Sequence, residues 1–403
     1  MRRLLGLVTG PWAMLLAAAA GAACGAAGLP FQQQLARACL LVFMNALRLV
    51  SLPIIFLAVS TTIMAMPSLG ELARLGQRTL RYTLLTTALA ASVALALFLL
   101  LAPHFRVAHG PATAVAAPSA GYLGHLTHLV PGSLFEPFIE GNVTAILLMA
   151  AAFGAAMLTL EERALVERPL SLTLAALLRI IRALTRFVPL VVWAGIVESF
   201  DTLQDAGTAR ALGAYLACIV LANLLQATVV LPALLLLHGL SPVRAARAFA
   251  PALSTAFFSK SSVATLPVAM RCAEETLGVD RRLTRFCFPL CTSINMNGCA
   301  AFILVTVLFV SEAHGHAHSA FSLVSWVGLA TVAALGNAGV PMGCYVLSCS
   351  LLGTMGVPLE MMALILPFYG FVDMVETAVN VWSDATVTLC VARGQAPPPV
   401  GAA

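Results

Sequence analysis

The sequence predicts an all-α polytopic membrane protein with eight transmembrane helices and two re-entrant helical hairpins. Three observations carry that expectation. Of 403 residues, 60% are AVILMFWYC and only 10% are charged, against about 45–50% and about 25% in soluble domains. Apolar segments recur at the length of about 20 residues that a helix needs to cross the hydrocarbon core. Two further apolar stretches are interrupted by polar and Gly/Pro-rich sequence, which is tolerated at membrane depth only where it is buried in protein or lines a cavity. A chain this apolar cannot cover itself with a wetted surface, which argues against a soluble enzyme or a nucleic-acid module. Its partners are expected to be membrane lipid and a small molecule, not nucleic acid.

The first apolar segment, 7–28, has a basic start and a small-residue exit like a signal peptide. Because apolar sequence resumes at once, it reads as a retained first span. The next candidates are 38–66, 79–102, 141–160, 174–200, 211–238, 284–310 and 358–392. The interrupted stretches are 248–270, with Ser259-Lys260-Ser261-Ser262 at its centre, and 323–355, with Gly336-Asn337-Ala338-Gly339-Val340-Pro341. Each reads as helix, non-helical tip, helix.

Orientation follows from the distribution of Arg. Arg2 and Arg3, Arg74 to Arg81, Arg163 to Arg182, Arg244 and Arg247, and Arg271 to Arg285 mark one set of connections, whereas 107–140 and 311–322 contain no Lys or Arg. Both termini are therefore expected in the cytoplasm and the chain in the inner (plasma) membrane. The His314, His316, His318 tract falls in an outside loop and reads as solvated, with weak metal capture as the alternative. The ten cysteines fall singly along apolar stretches with no CxxC pair. They read as small hydrophobes, and no cofactor is expected.

The last span carries Asp373, Glu376, Thr377, Asn380 and Asp384. Their offsets of 3, 1, 3 and 4 put all five on one helical face. A charge there costs at least ~2.5–3.5 kcal/mol, so coupling cations, a substrate ammonium, protonation or a lysine must offset them. The preceding span holds Cys291-Thr292-Ser293-Ile294-Asn295-Met296-Asn297-Gly298-Cys299. Gly and two Asn at mid-membrane predict a locally unwound helix, whose carbonyls with an Asp offer the hard oxygens an alkali cation requires. Neither element reads as a soft ligand set for a transition metal. Lys260, the only lysine, sits at the first tip, and a lysine at that depth is a functional candidate. Its serines suggest a Ser-Lys hydrolase, but no GxSxG or HExxH motif supports catalysis.

The segments Ala256–Val268, Phe288–Gly298, Gly339-Val340-Pro341 and Thr377–Asp384 resemble the signatures of the dicarboxylate/amino acid:cation symporter family, and the likeness extends to 53–56, 69–76 and 135–142. The resemblance implies a homotrimer in which each protomer has a fixed scaffold and a transport domain that moves like an elevator. Residues 1–76 and 111–208 would be scaffold with the external loop, 77–110 and 209–395 would be transport domain, and 396–403 a cytoplasmic tail. One sodium would sit at the carbonyls of Cys291, Asn295 and Asn380 and the carboxylate of Asp384. A second would lie near Thr86, Thr87 and Asn295, and a third among the unwound stretch, including Ser293, and the Gly336–Gly339 tip.

The resemblance places substrate at Ser261, Ser262, Cys299, Val340, Asp373, Glu376, Thr377 and Asn380, with Asp373 holding the ammonium and the second hairpin as outer gate. Three positions depart from the family pattern. Asn297 stands where an Asp usually supports one sodium site, which leaves room for a lower sodium stoichiometry. Cys299 replaces Thr. Glu376 stands where members for acidic substrates carry Arg, and the Glu-Thr-Ala-x-Asn pattern is similar to the serine/threonine branch. The implied function is sodium-coupled import of a small neutral amino acid. The alternatives are a dicarboxylate or acidic amino acid, with sodium or protons as coupling ion, and a substrate-gated anion conductor or sensor. Lys260 and Glu376 are expected to form a charge pair across the cavity.

Overall fold

The computed structural model describes residues 11–64, 71–101, 132–140, 143–198, 200, 204–337 and 342–394. The start of the first span, most of the loop 107–140, the tip residues 338–341 with Val340, and the tail 396–403 lie outside the described residues. Among the described residues every regular element is helical.

The first half contains α1 (Pro11–Ala27), α2 (Pro30–Met64), α3 (Glu71–Leu101), the short α4 (Glu136–Glu140), α5 (Val143–Leu158), α6 (Arg163–Leu184) and α7 (Val188–Glu198). Small residues let these helices approach closely, as apolar helices in lipid do. A Cβ on Gly21 would lie 2.8 Å from the carbonyl oxygen of Trp193, and one on Gly154 would lie 2.8 Å from Cβ of Ile63. Beside the second contact Ser60 Oγ donates to the carbonyl of Ala150 at 3.2 Å. Arg37 Nε donates to both carboxylate oxygens of Glu198, at 2.8 and 3.0 Å, tying α2 to α7.

The expected span 174–200 is two helices instead. α6 ends at Leu184, a single 3-10 turn covers Thr185–Phe187, and α7 restarts at Val188. Pro189 explains the restart, because it lacks the N–H that would continue the preceding ladder and is at home in a first turn.

The second half begins with α8 (Ala206–Leu225), where the Asp205 carboxylate accepts from the N–H of Thr208 at 2.8 Å. That bond holds the Asp205 carboxyl below the usual carboxylate range. A π-helical turn at Gln226–Val230 leads into α9 (Leu231–Leu237). The turn frees the Ala227 carbonyl, which accepts from Trp382 Nε1 at 3.0 Å, while Gln226 Nε2 donates to the carbonyl of Thr86 at 3.0 Å. Before the turn, Tyr215, Cys218, Ile219 and Ala222 join the main core; after it, Leu231, Leu234 and Leu235 join a second core with the first hairpin.

The two interrupted stretches form helical hairpins. The first is α10 (Pro242–Ser259) and α11 (Ser262–Arg271), followed by a π-helical turn to Thr276. The second is α14 (Ala320–Leu335) and α15 (Gly343–Thr354). Between them run α12 (Arg281–Ile294) and α13 (Asn297–Ala313), and the chain closes with α16 (Glu360–Arg393). Among the described residues four helical stretches are long and apolar enough to cross a membrane: Arg74–Leu101, Ala206–Leu237, Arg281–Ala313 and Met361–Arg393. Within the third of these, α13 is enclosed by α3, α8, α14, α15 and α16, so nearly all its residues are buried.

Candidate functional site

The centre of the site is the break between α12 and α13. Asn295 (φ −98°, ψ 81°) and Met296 (φ −115°, ψ 63°) leave helical geometry, as the weak helix formers around Gly298 predict. The Asn295 N–H still bonds the Cys291 carbonyl at 2.7 Å, so that carbonyl already has a donor. The first amides of α13 lack intrahelical partners, and Gly298 N–H meets Asn380 Oδ1 of α16 at 2.9 Å. Only glycine fits here. A Cβ at 298 would stand 2.8 Å from Glu376 Cα, 3.0 Å from its carbonyl oxygen and 2.7 Å from Asn223 Oδ1.

On one side of the break lies a buried oxygen-rich cluster. Thr86 Oγ1 sits 3.3 Å from both Asn295 Oδ1 and Asn297 Oδ1, and Thr87 Oγ1 donates to Asn297 Oδ1 at 2.8 Å. Asn295 Nδ2 donates to Ser383 Oγ at 2.9 Å and to Asp384 Oδ1 at 3.0 Å, while Asn297 Nδ2 donates to Ser383 Oγ at 2.6 Å. Thr292 Oγ1 donates to Asp384 Oδ2 at 3.4 Å. Asn297 thus uses its amide as a donor as well as an acceptor, which an aspartate could not do.

On the other side lies a sulfur-rich cluster. Cys299 Sγ accepts from Asn337 Nδ2 at 2.9 Å and from Asn380 Nδ2 at 3.4 Å. The Cys344 thiol donates to Glu376 Oε2 at 2.9 Å and stands 3.0 Å from the Tyr369 hydroxyl. Glu376 is 1% exposed, and its Oε1 has no hydrogen-bond partner. The last span and the unwound span were each read as lacking a soft ligand set of their own, but residues from three elements meet here. The fold brings Cys299 and Cys344, 45 positions apart, within 4.8 Å of each other and of Glu376.

The first tip is tight. Lys260 takes a left-handed conformation (φ 53°) that caps α10, and Ser261 Oγ accepts from the Ala264 N–H at 3.2 Å to start α11. Ser262 is the buried first residue of α11, so the positive end of that helix lies at the tip. The expected pair between Lys260 and Glu376 is not formed: neither has an ion-pair partner within 4 Å among the described residues. Lys260 interacts electrostatically with Asp373. Asp373 lies one helical turn before Glu376 on the same face of α16.

Two other expected residues bond within their own helices. Ser293 Oγ donates back to the Pro289 carbonyl at 3.0 Å, outside the oxygen cluster. Thr377 Oγ1 donates to the carbonyl of Asp373 at 2.7 Å on its own helix. The side chains of Ser383, Cys344 and Tyr369 carry no assignment from the sequence, and Asn337 enters there only through the carbonyls of the Gly336–Gly339 tip. Ser383 lies seven residues after Glu376 and so on the same flank of α16, a signal that was available. The other three come from the tip and arms of the second hairpin or one turn before Asp373, and only the fold assembles them.

The convergence of helices from two interrupted stretches on a broken helix with buried polar groups is the pattern of the secondary-transporter class. The family profile described as "Sodium:dicarboxylate symporter family" matches residues 11–394, and the chain belongs to that family. It is 32% identical to mouse excitatory amino acid transporter 3 over 246 residues, covering 60% of this chain and 47% of that protein. The human protein of the same name is 31% identical over the same length. Human neutral amino acid transporter B(0) is 28% identical over 380 residues, covering 84% of this chain and 70% of that protein. The chain spans about half the length of the excitatory relatives it matches.

Proposed function

We propose that the protein is a sodium-coupled symporter that imports a small neutral or polar amino acid of the serine/threonine kind, working as a homotrimer by an elevator motion of 77–110 and 209–395 against the rest. The observation that carries the coupling is the buried Asp384 carboxylate, which accepts from Thr292 Oγ1 and Asn295 Nδ2 in a network that runs on through Asn295 to the hydroxyls of Ser383 and Thr86. A hard cation favours such a set. Asn297 in place of a carboxylate favours fewer coupled sodium ions. Cys291 and Asn380 would add backbone carbonyls, and Thr87 would close the second cation site.

For the substrate, the N-terminus of α11 with Ser261 and Ser262, together with Asn380, would receive the α-carboxylate, and Asp373 the ammonium. Cys299, Val340 and Thr377 would shape the pocket. Buried Glu376 favours a neutral side chain, because a second carboxylate beside it would be repelled. The alternative reading, a dicarboxylate or acidic amino acid coupled to sodium or protons, keeps support from the family name and from the excitatory relatives. Purified protein in proteoliposomes under an inward sodium gradient separates them: accumulation of labelled serine and not aspartate supports the first, and the reverse overturns it. Dissipating current without accumulation of either would favour a conductor.

A further inference from the structure

We infer that Cys299, Cys344 and Glu376 form a binding site for a thiophilic divalent cation of the zinc class. Three features point there. The two sulfurs and a carboxylate oxygen lie within 4.8 Å of one another, and all three residues are buried. Tetrahedral zinc with bonds of about 2.3 Å to sulfur sets its ligand atoms about 3.8 Å apart, so small side-chain adjustments close the set. Glu376 Oε1, at full burial, has no partner, and a carboxylate needs a positive counterpart at that depth. Cys299 is already cradled as an acceptor by the amides of Asn337 and Asn380, the kind of outer support that orients a ligating thiolate.

The balance is simple: the cation enters, the two thiol protons leave to solvent, and the three ligands with the amide donors share the charge. The Tyr369 hydroxyl, 3.0 Å from Cys344 Sγ, stands beside the fourth position. The ligands come from three elements, α13, α15 of the second hairpin and α16. A bound cation therefore fastens the second hairpin to the broken helix. The site shares Cys299 and Glu376 with the proposed substrate pocket, and its test therefore reads metal binding alone, with no amino acid present.

The test is titration of the purified full chain in detergent with Cd2+ alone, under a phosphine reductant that keeps thiols free. Expected is one tightly bound equivalent with a thiolate-to-metal charge-transfer band of two thiolates, accompanied by a higher melting temperature. Cys344→Ala and Glu376→Gln should each weaken binding by tenfold or more, and Cys344→Ala should remove half the band. Cys390→Ala, fourteen residues further along α16, should bind as the wild type does. Absence of tight binding to folded wild type, equal binding by the Cys344→Ala and Glu376→Gln proteins, or equal loss in Cys390→Ala would each overturn the site. A melting curve of each variant without metal shows that it is folded.

Discussion

Replacing Asp384 by Asn tests the proposed coupling directly. Asp384 is 1% exposed and accepts from Asn295 Nδ2 at 3.0 Å and Thr292 Oγ1 at 3.4 Å. In the variant one acceptor oxygen becomes an NH2 group. Thr292 can turn its hydroxyl to accept, and Asn295 keeps Ser383 as a partner, so the fold loses at most one hydrogen bond to a charged group, about 1.5–3 kcal/mol. The larger effect is on the cation. A positive charge at membrane depth without its counter-charge costs at least ~2.5–3.5 kcal/mol. At about 1.4 kcal/mol per decade, this weakens sodium binding roughly 60- to 300-fold. The assay is binding of labelled serine to purified protein across a sodium series, with size-exclusion and melting curves as checks on folding. A half-saturating sodium concentration within about twofold of wild type, in folded protein, would refute the reasoning.

Gly298→Ala should cost about 1–3 kcal/mol by overpacking, because its Cβ meets backbone of Glu376 at 2.8 Å; substrate affinity should fall with the melting temperature, and an unchanged pair of values would contradict the close approach. Lys260→Met should impair uptake, and adding Glu376→Gln should not restore it, since Lys260 acts on Asp373; a double-mutant cycle showing rescue would return the pair to Glu376. His318 should titrate below the ordinary histidine range, because burial disfavours its charged form while its ring bonds Ser311 Oγ at 2.8 Å. Its folded value is depressed, so its contribution to stability is present above the usual histidine pKa and is lost as pH falls through the interval below it; histidine NMR in detergent would show this, and titration at or above the usual value would contradict it.

Much of the architecture was legible because its signals are local. Gly336-Asn337 and Ser259–Ser262 interrupt apolar stretches, and a helix ends at each. Asn295-Met296-Asn297-Gly298 announced an unwound helix, and the break falls at Asn295 and Met296. The face holding Glu376, Asn380 and Asp384 followed from the helical period, and those three side chains do meet α13, α15 or the Asn295 region. What was not legible depends on distance in sequence. Cys299 and Cys344 look alike as isolated apolar residues, and nothing local says that the second hairpin folds one onto the other. The left-handed backbone of Lys260, which sets where its side chain starts, has no local signal either. Pro189 was a local signal, yet the apolar run across it hid the restart of α7.

The π-helical turn at Gln226–Val230 acts like one extra tooth in a gear. Each residue in a helix advances the face by about 100°, so removing one residue from the turn would rotate everything from Leu231 onward by that angle. Leu231, Leu234 and Leu235 would swing away from Phe249, Trp382 and Leu389, their companions in the second core. Conservative exchanges within 226–230 are therefore tolerable where a deletion is not: what this segment encodes is a phase, and phase is counted in residues.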